Sequence, residues 1–224
     1  MTLIFDLDGT LLNTIADLGM ACNHALASAG YPTHTIEDYP RLVGNGVNKL
    51  IERALPASAK TSAEATEQEV LRLRKVFIPY YNMHNTDRTR PYDGIPETLA
   101  ALRQAGHRMA VASNKYQEGT SKVVDHFFPG VFDAVFGARP GVPRKPDPQI
   151  VHDIFAALYG EGTAPHDALY IGDSLVDIAT ARNAGLPVAA CTWGFVSRGT
   201  LAAEHPDYLL DSPAQLTDIC NNNL

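Results

Sequence analysis

From residue 96 onward the chain alternates between helical and strand periodicity, and no other feature narrows its possible folds as far. Residues 96–105 carry a helical stripe that opens at Pro96 and stops at Gly106, and residues 108–112 read as a strand ending at Ser113-Asn114-Lys115. A helix over 117–128, a strand over 133–136, a helix over 148–158 and a strand over 168–171 follow in turn. After them come a helix over 176–184 and strands over 188–192 and 208–210. Alternation of this kind means a parallel sheet covered by helices on both faces.

One strand precedes this series. Thr2–Phe5 is a short apolar run that ends abruptly in Asp6-Leu7-Asp8-Gly9-Thr10, a buried strand running into a charged loop. Between that loop and the alternating region no convincing strand occurs. Residues 14–29 repeat Ile15, Leu18, Cys22, Ala25, Leu26 and Ala29 at helical spacing, with Gly30 and Pro32 as the stop. Further helices are expected over 47–54 and 62–81, the latter with Val70, Leu73 and Phe77 in its stripe. The expectation is a Rossmann-like α/β core built from residues 1–13 and 83–224, with an all-helical cap domain, 14–82, inserted after the first strand. An insert at a strand's carboxyl end lies over the edge where α/β sheets bind ligands.

Composition removes several classes of function. A net charge of -7 and a pI near 5.5 argue against a nucleic-acid surface. Three scattered cysteines suggest neither a disulfide framework nor a zinc site, and fit a reducing, cytoplasmic setting. No leader and no membrane-spanning run is apparent, and the eight histidines show no ligand spacing.

Polar groups gather at the expected strand ends. Asp6 and Asp8, two apart on an extended segment, can face one pocket while Leu7 turns back into the core. Ser113 and Asn114 end the second strand, Asp173 follows the fourth with Asp177 four residues on, and Lys145 sits in the proline-stiffened loop Lys145-Pro146-Asp147-Pro148. Each has an ordinary reading: an Asp-Gly turn, a helix N-cap, a loop, a capped turn. Together, in this order, they imply one site. Four carboxylates and a lysine in a partly dry pocket call for a divalent cation, and an all-oxygen donor set suits Mg²⁺. Cation, lysine, hydroxyl and amide donors make a nest for a phosphoryl group.

These four segments resemble the motifs of the haloacid dehalogenase superfamily of phosphohydrolases, over nearly the whole chain. The resemblance implies that Asp6 is the nucleophile that forms an aspartyl-phosphate, and that Asp8 protonates the leaving alcohol and then activates water. It further implies that Ser113 and the Asn114 amide bind phosphate, and that Lys145 neutralises it and orients Asp6. Mg²⁺ would be held by the Asp6 carboxylate, the Asp8 carbonyl and Asp173, with Asp177 and Thr10 one layer further out. The acid at Asp8 marks the phosphatase and phosphomutase branches. Val43-Gly44-Asn45-Gly46, Pro91-Tyr92 and Thr192-Trp193-Gly194-Phe195 look most like phosphoglycolate phosphatases. Departures are Asn13, where that family often has aspartate, and Tyr116, where proline is common.

Substrate choice belongs to the cap. Gly44-Asn45-Gly46 could offer backbone N–H groups to a second anionic group, or form only a flexible turn. The resulting expectation is a Mg²⁺-dependent phosphatase of a small phosphorylated metabolite, with 2-phosphoglycolate leading. It acts as a monomer or small homo-oligomer, without nucleic acid or membrane partners. A sugar phosphomutase on the same scaffold is the rival, and a non-catalytic module phosphorylated at Asp6 the reading from another class.

Overall fold

The structure is a computed structural model that describes residues 1–165 and 167–222. The chain divides into two compact units, Met1–Asn13 with Arg90–Leu224, and Thr14–Thr89.

In the first unit, β1 (Thr2–Phe5), β4 (Arg108–Tyr116), β5 (Ala134–Ala138), β6 (Ala168–Gly172), β7 (Val188–Cys191) and β8 (Tyr208–Leu210) form one parallel sheet in the order β5-β4-β1-β6-β7-β8. β1 is therefore flanked by β4 and β6, in the register Leu3↔Met109 and Leu3↔Leu169. Alternation along β1 feeds two cores. Leu3 and Phe5 pack with Met109, Val111, Leu169 and Ile171 on one face. Ile4 packs with Ala110, Ala112 and Tyr170 on the other. With both faces covered, the strands are mostly apolar runs, and all four residues of β1 are buried. The strand order turns outward in opposite directions from β1, and the loops leaving β1, β4 and β6 open beside that reversal.

Helices α4 (Ile95–Gln104), α5 (Gln117–Phe127), α6 (Gln149–Tyr159) and α7 (Leu175–Asn183) fall where the periodicity predicts them. α8 (Arg198–Ala203) and α9 (Ala214–Asn222) were not expected, nor was the antiparallel ribbon of β2 (Leu12–Asn13) and β3 (Arg90–Pro91), which is too short to carry a pattern. β4 also runs past the expected stop at Ala112. Its ladder with β5 is irregular between Ala112 and Tyr116 and resumes at Tyr116↔Ala138, so Ser113-Asn114-Lys115 lies within the strand. The residue that caps α5 is Tyr116, not Ser113 or Asn114.

The second unit contains α1 (Ile15–Ser28), α2 (Val47–Ala54) and α3 (Ala63–His84), with 3-10 turns at Ile36–Arg41 and Ala57–Ala59. α3 opens at Ser62, whose side chain accepts from the Ala65 amide at 3.1 Å, and it ends beyond the boundary expected at 82. Leu18, Cys22, Leu26, Ile51, Leu73, Phe77 and Tyr81 are buried, so the predicted stripes do form its interior. Buried Asp17 closes the unit by accepting from the Thr89 amide at 2.8 Å and the Thr89 hydroxyl at 2.7 Å. Among the described residues no helix is long and apolar enough to cross a membrane.

Candidate active site

Asp6 directly follows β1, with its amide donating to the Ile171 carbonyl of the neighbouring strand at 2.8 Å, and its carboxylate lies beside Lys145. The Lys145 ammonium is buried and surrounded. It donates to Asp6 Oδ1 at 2.8 Å, Asp177 Oδ1 at 2.7 Å, the Ala112 carbonyl at 2.9 Å and the Tyr170 hydroxyl at 3.1 Å. Burial alone would favour the neutral amine, but Asp177 and Asp6 more than offset it, so the group is held well above its ordinary pKa. A fixed cation at the end of the sheet is the result.

Asp173 enters from the end of β6. Its Oδ1 accepts from the Thr10 hydroxyl at 3.0 Å and its Oδ2 from the Phe195 amide at 2.8 Å. Two glycines make room for it: a Cβ on Gly9 or on Gly194 would run into this carboxylate, and Gly9 also needs its positive φ of 96°. Asp177, fully buried, sits in the first turn of α7 and forms a capping box with Ser174. Both of its oxygens are engaged, Oδ1 by Lys145 and Oδ2 by the Ser174 hydroxyl at 2.6 Å and amide at 3.1 Å.

Asp6, Asp173 and Asp177 each offer an oxygen within 4.8 Å of the others. Such crowding is costly for bare anions. Burial, then the charge of Asp177, pushes the Asp6 carboxyl up to about 7, and burial with the same neighbours raises Asp173 well above the carboxylate range. An all-oxygen set of this kind fits a hard divalent cation, which would relieve the repulsion.

Asp8 is separate from that triad. Its two oxygens accept from Lys115 Nζ at 2.7 and 2.8 Å. Ser113 is buried on β4, where its Oγ accepts from the Lys115 amide at 3.1 Å, and Asn114 donates through Nδ2 to the Lys145 carbonyl at 3.1 Å. The core-unit residues expected to form a site are thus gathered at one end of the sheet. Gly44, Asn45 and Gly46 belong to the second unit, at the entry to α2, where Gly44 and Gly46 have φ of 132° and 84°. No side-chain hydrogen bond caps that helix at Gly46.

Sequence reasoning passed over three contributors. Tyr170 is a polar-tipped residue within a buried apolar strand, and that is the only signal it gives. Lys115 stands in a quoted motif without an assigned role. The Trp193 indole donates to the Thr10 carbonyl at 3.0 Å, so the segment that carries Phe195 also braces the loop after β1.

Residues 3–191 match the family described as haloacid dehalogenase-like hydrolase. The chain is 36% identical over 215 residues to a phosphoglycolate phosphatase of Agrobacterium fabrum, covering 96% of this chain and 89% of that one. It is 32% identical over 223 residues to a phosphoglycolate phosphatase of Aquifex aeolicus, covering 99% and 97%. A crystal structure from Lactobacillus delbrueckii subsp. bulgaricus, proposed to be a phosphoglycolate phosphatase, superposes with a TM-score of 0.86 at 36% identity over 96% of this chain and 95% of that one. With a family match across most of its length and relatives above 30% identity, the chain belongs to the haloacid dehalogenase-like hydrolases.

Proposed function

We propose that the chain is a Mg²⁺-dependent phosphatase that hydrolyses a small phosphorylated metabolite through an aspartyl-phosphate on Asp6. The observation that carries this reading is the Lys145 ammonium, held between Asp6 and Asp177 with Asp173 alongside. A carboxylate at a strand end, oriented by a fixed cation, is suited to attack phosphorus, and splitting the reaction into two displacements lowers each barrier. The Asp6 and Asp173 carboxylates and the Asp8 carbonyl would hold Mg²⁺, which when bound supplies positive charge to the phosphoryl oxygens. Asp177 has both oxygens engaged by Lys145 and Ser174, which supports a role one layer out, fixing the lysine.

Lys145, the Ser113 hydroxyl and the Asn114 amide are the donors for the phosphoryl group. Asp8 is the acid for the departing alcohol and the base for the incoming water. The names of the relatives support 2-phosphoglycolate as substrate. Its carboxylate requires a second anion site, which we assign to the second unit, with Gly44-Asn45-Gly46 as the segment that offers backbone N–H groups.

Phosphate release from a panel of phosphorylated metabolites, with and without Mg²⁺ and with Asp6→Asn as control, tests this reading. Release that needs both Mg²⁺ and Asp6, and that favours 2-phosphoglycolate, is expected. Isomer formation without net phosphate release would replace it with a mutase, and full activity in Asp6→Asn would remove the nucleophile.

A further inference from the structure

We propose that Lys115 is a positioning residue for the second half of the reaction, holding the Asp8 carboxylate in place as the base that activates water. The inference rests on the aspartyl-phosphate reading and deepens it.

The geometry is that of a mount. The Lys115 ammonium contacts both oxygens of Asp8, at 2.7 and 2.8 Å, and the lysine side chain is almost completely buried. A carboxylate gripped at both oxygens loses its rotation about the terminal torsion. Its remaining lone pairs then keep one direction. The grip matters only if the lysine is itself fixed, and its backbone is fixed from several sides. The Lys115 amide donates to Ser113 Oγ at 3.1 Å, and its carbonyl accepts from Thr120 Oγ1 at 3.1 Å. Gly137 of the adjoining strand lies so close that a Cβ there would stand 2.6 Å from the Lys115 carbonyl oxygen.

The two lysines of the site therefore serve different aspartates. Lys145 is committed to Asp6 and Asp177, and Lys115 to Asp8. Had one cation served both, moving it toward the phosphoryl group would release the base just when water must be deprotonated. With separate cations the two tasks are independent.

The step itself balances. Water attacks phosphorus, the bond from phosphorus to the Asp6 oxygen breaks with its electron pair returning to Asp6, and one water proton passes to Asp8. Orthophosphate leaves and Asp8 gives that proton to solvent. A misplacement of the base by about 1 Å can cost on the order of a hundredfold in rate.

The test uses p-nitrophenyl phosphate, whose leaving group needs no proton, so that formation of the phosphoenzyme is insensitive to Asp8. In Lys115→Met the phosphoenzyme should accumulate. A burst of nitrophenolate should be followed by a steady rate about 10-fold to 100-fold below that of the unaltered enzyme. The values of kcat and KM should fall together, leaving kcat/KM unchanged, and Lys115→Arg should recover part of kcat. A variant that merely folded poorly would lose burst amplitude and kcat/KM instead. Asp8→Asn, run in parallel, separates the two levels of the argument. If Asp8→Asn accumulates phosphoenzyme and Lys115→Met does not, the role of Lys115 is wrong. If neither accumulates it, the aspartyl-phosphate reading with Asp8 as base falls first.

Discussion

The Thr10 hydroxyl donates to Asp173 Oδ1 at 3.0 Å, and this hydrogen bond ties the loop after β1 to the loop after β6. Both residues are buried, so neither finds a replacement partner in solvent. Thr10→Val keeps the shape and removes the donor. A hydrogen bond to a charged group contributes about 1.5–3 kcal/mol. The expected outcome is a folded protein whose Mg²⁺ affinity, measured by calorimetry, is weakened about tenfold or more. An unchanged affinity would mean that Thr10 does not orient Asp173.

Lys145→Met should leave Asp6 and Asp177 without their shared cation. Breaking a buried ion pair from one side costs about 3–5 kcal/mol. The loss, read by urea denaturation without added metal, should be smaller at pH 6 than at pH 8, because Asp6 can then take up a proton in place of its partner. Phosphate release should disappear at both pH values. A variant as stable as the parent at pH 8 would show that the lysine is not the counter-charge.

Gly194→Ala puts a methyl group into the Asp173 carboxylate, whereas Gly199, in α8, has nothing within 4 Å of its added Cβ. The first should lose most of its Mg²⁺-dependent thermal stabilisation and turnover. Gly199→Ala should be neutral or more stable by about 0.5–1 kcal/mol, as expected for alanine over glycine inside a helix. Equal behaviour of the two variants would contradict the close fit around Asp173.

The pH dependence of cation binding follows from Asp6. Its folded pKa, about 7, lies above the ordinary 3.8, so the metal-free folded state binds a proton more tightly than the unfolded chain. That contribution to stability is present below about pH 4 and is lost as the pH rises toward 7. A cation needs the ionised carboxylate and competes with the proton, so affinity should fall about tenfold for each unit below 7. The rise in Tm produced by a fixed Mg²⁺ concentration should therefore be larger at pH 8 than at pH 6. An equal rise at both values would sink this reading.

Much of the fold was legible because the chain obeys local rules. The apolar residues Leu3, Ile4 and Phe5 of β1, the stripes of α1 and α3, and the strand-helix alternation after residue 96 each reflect a surface that has to be buried. The reach of β4 to Tyr116 was not legible. Asn and Lys are poor strand formers, and the ladder with β5 is irregular across them and resumes at Tyr116↔Ala138.

By itself the sequence determined the class of fold, a parallel sheet covered by helices, and the polar residues at its strand ends. Buried apolar periodicity and the right-handed winding of parallel strands leave few other arrangements. The resemblance already implied that Lys145 serves Asp6; only the tertiary structure decided that Lys115 meets Asp8 and that Asp177 shares Lys145. Asp8 and Lys115 lie 107 residues apart, and nothing along the chain says that they meet. That choice was made by the register of β4 on β1 and by where the loop before α6 returns to the sheet. Coulomb attraction acts between whatever charges packing brings within a few ångströms, and spacing in sequence does not report that distance.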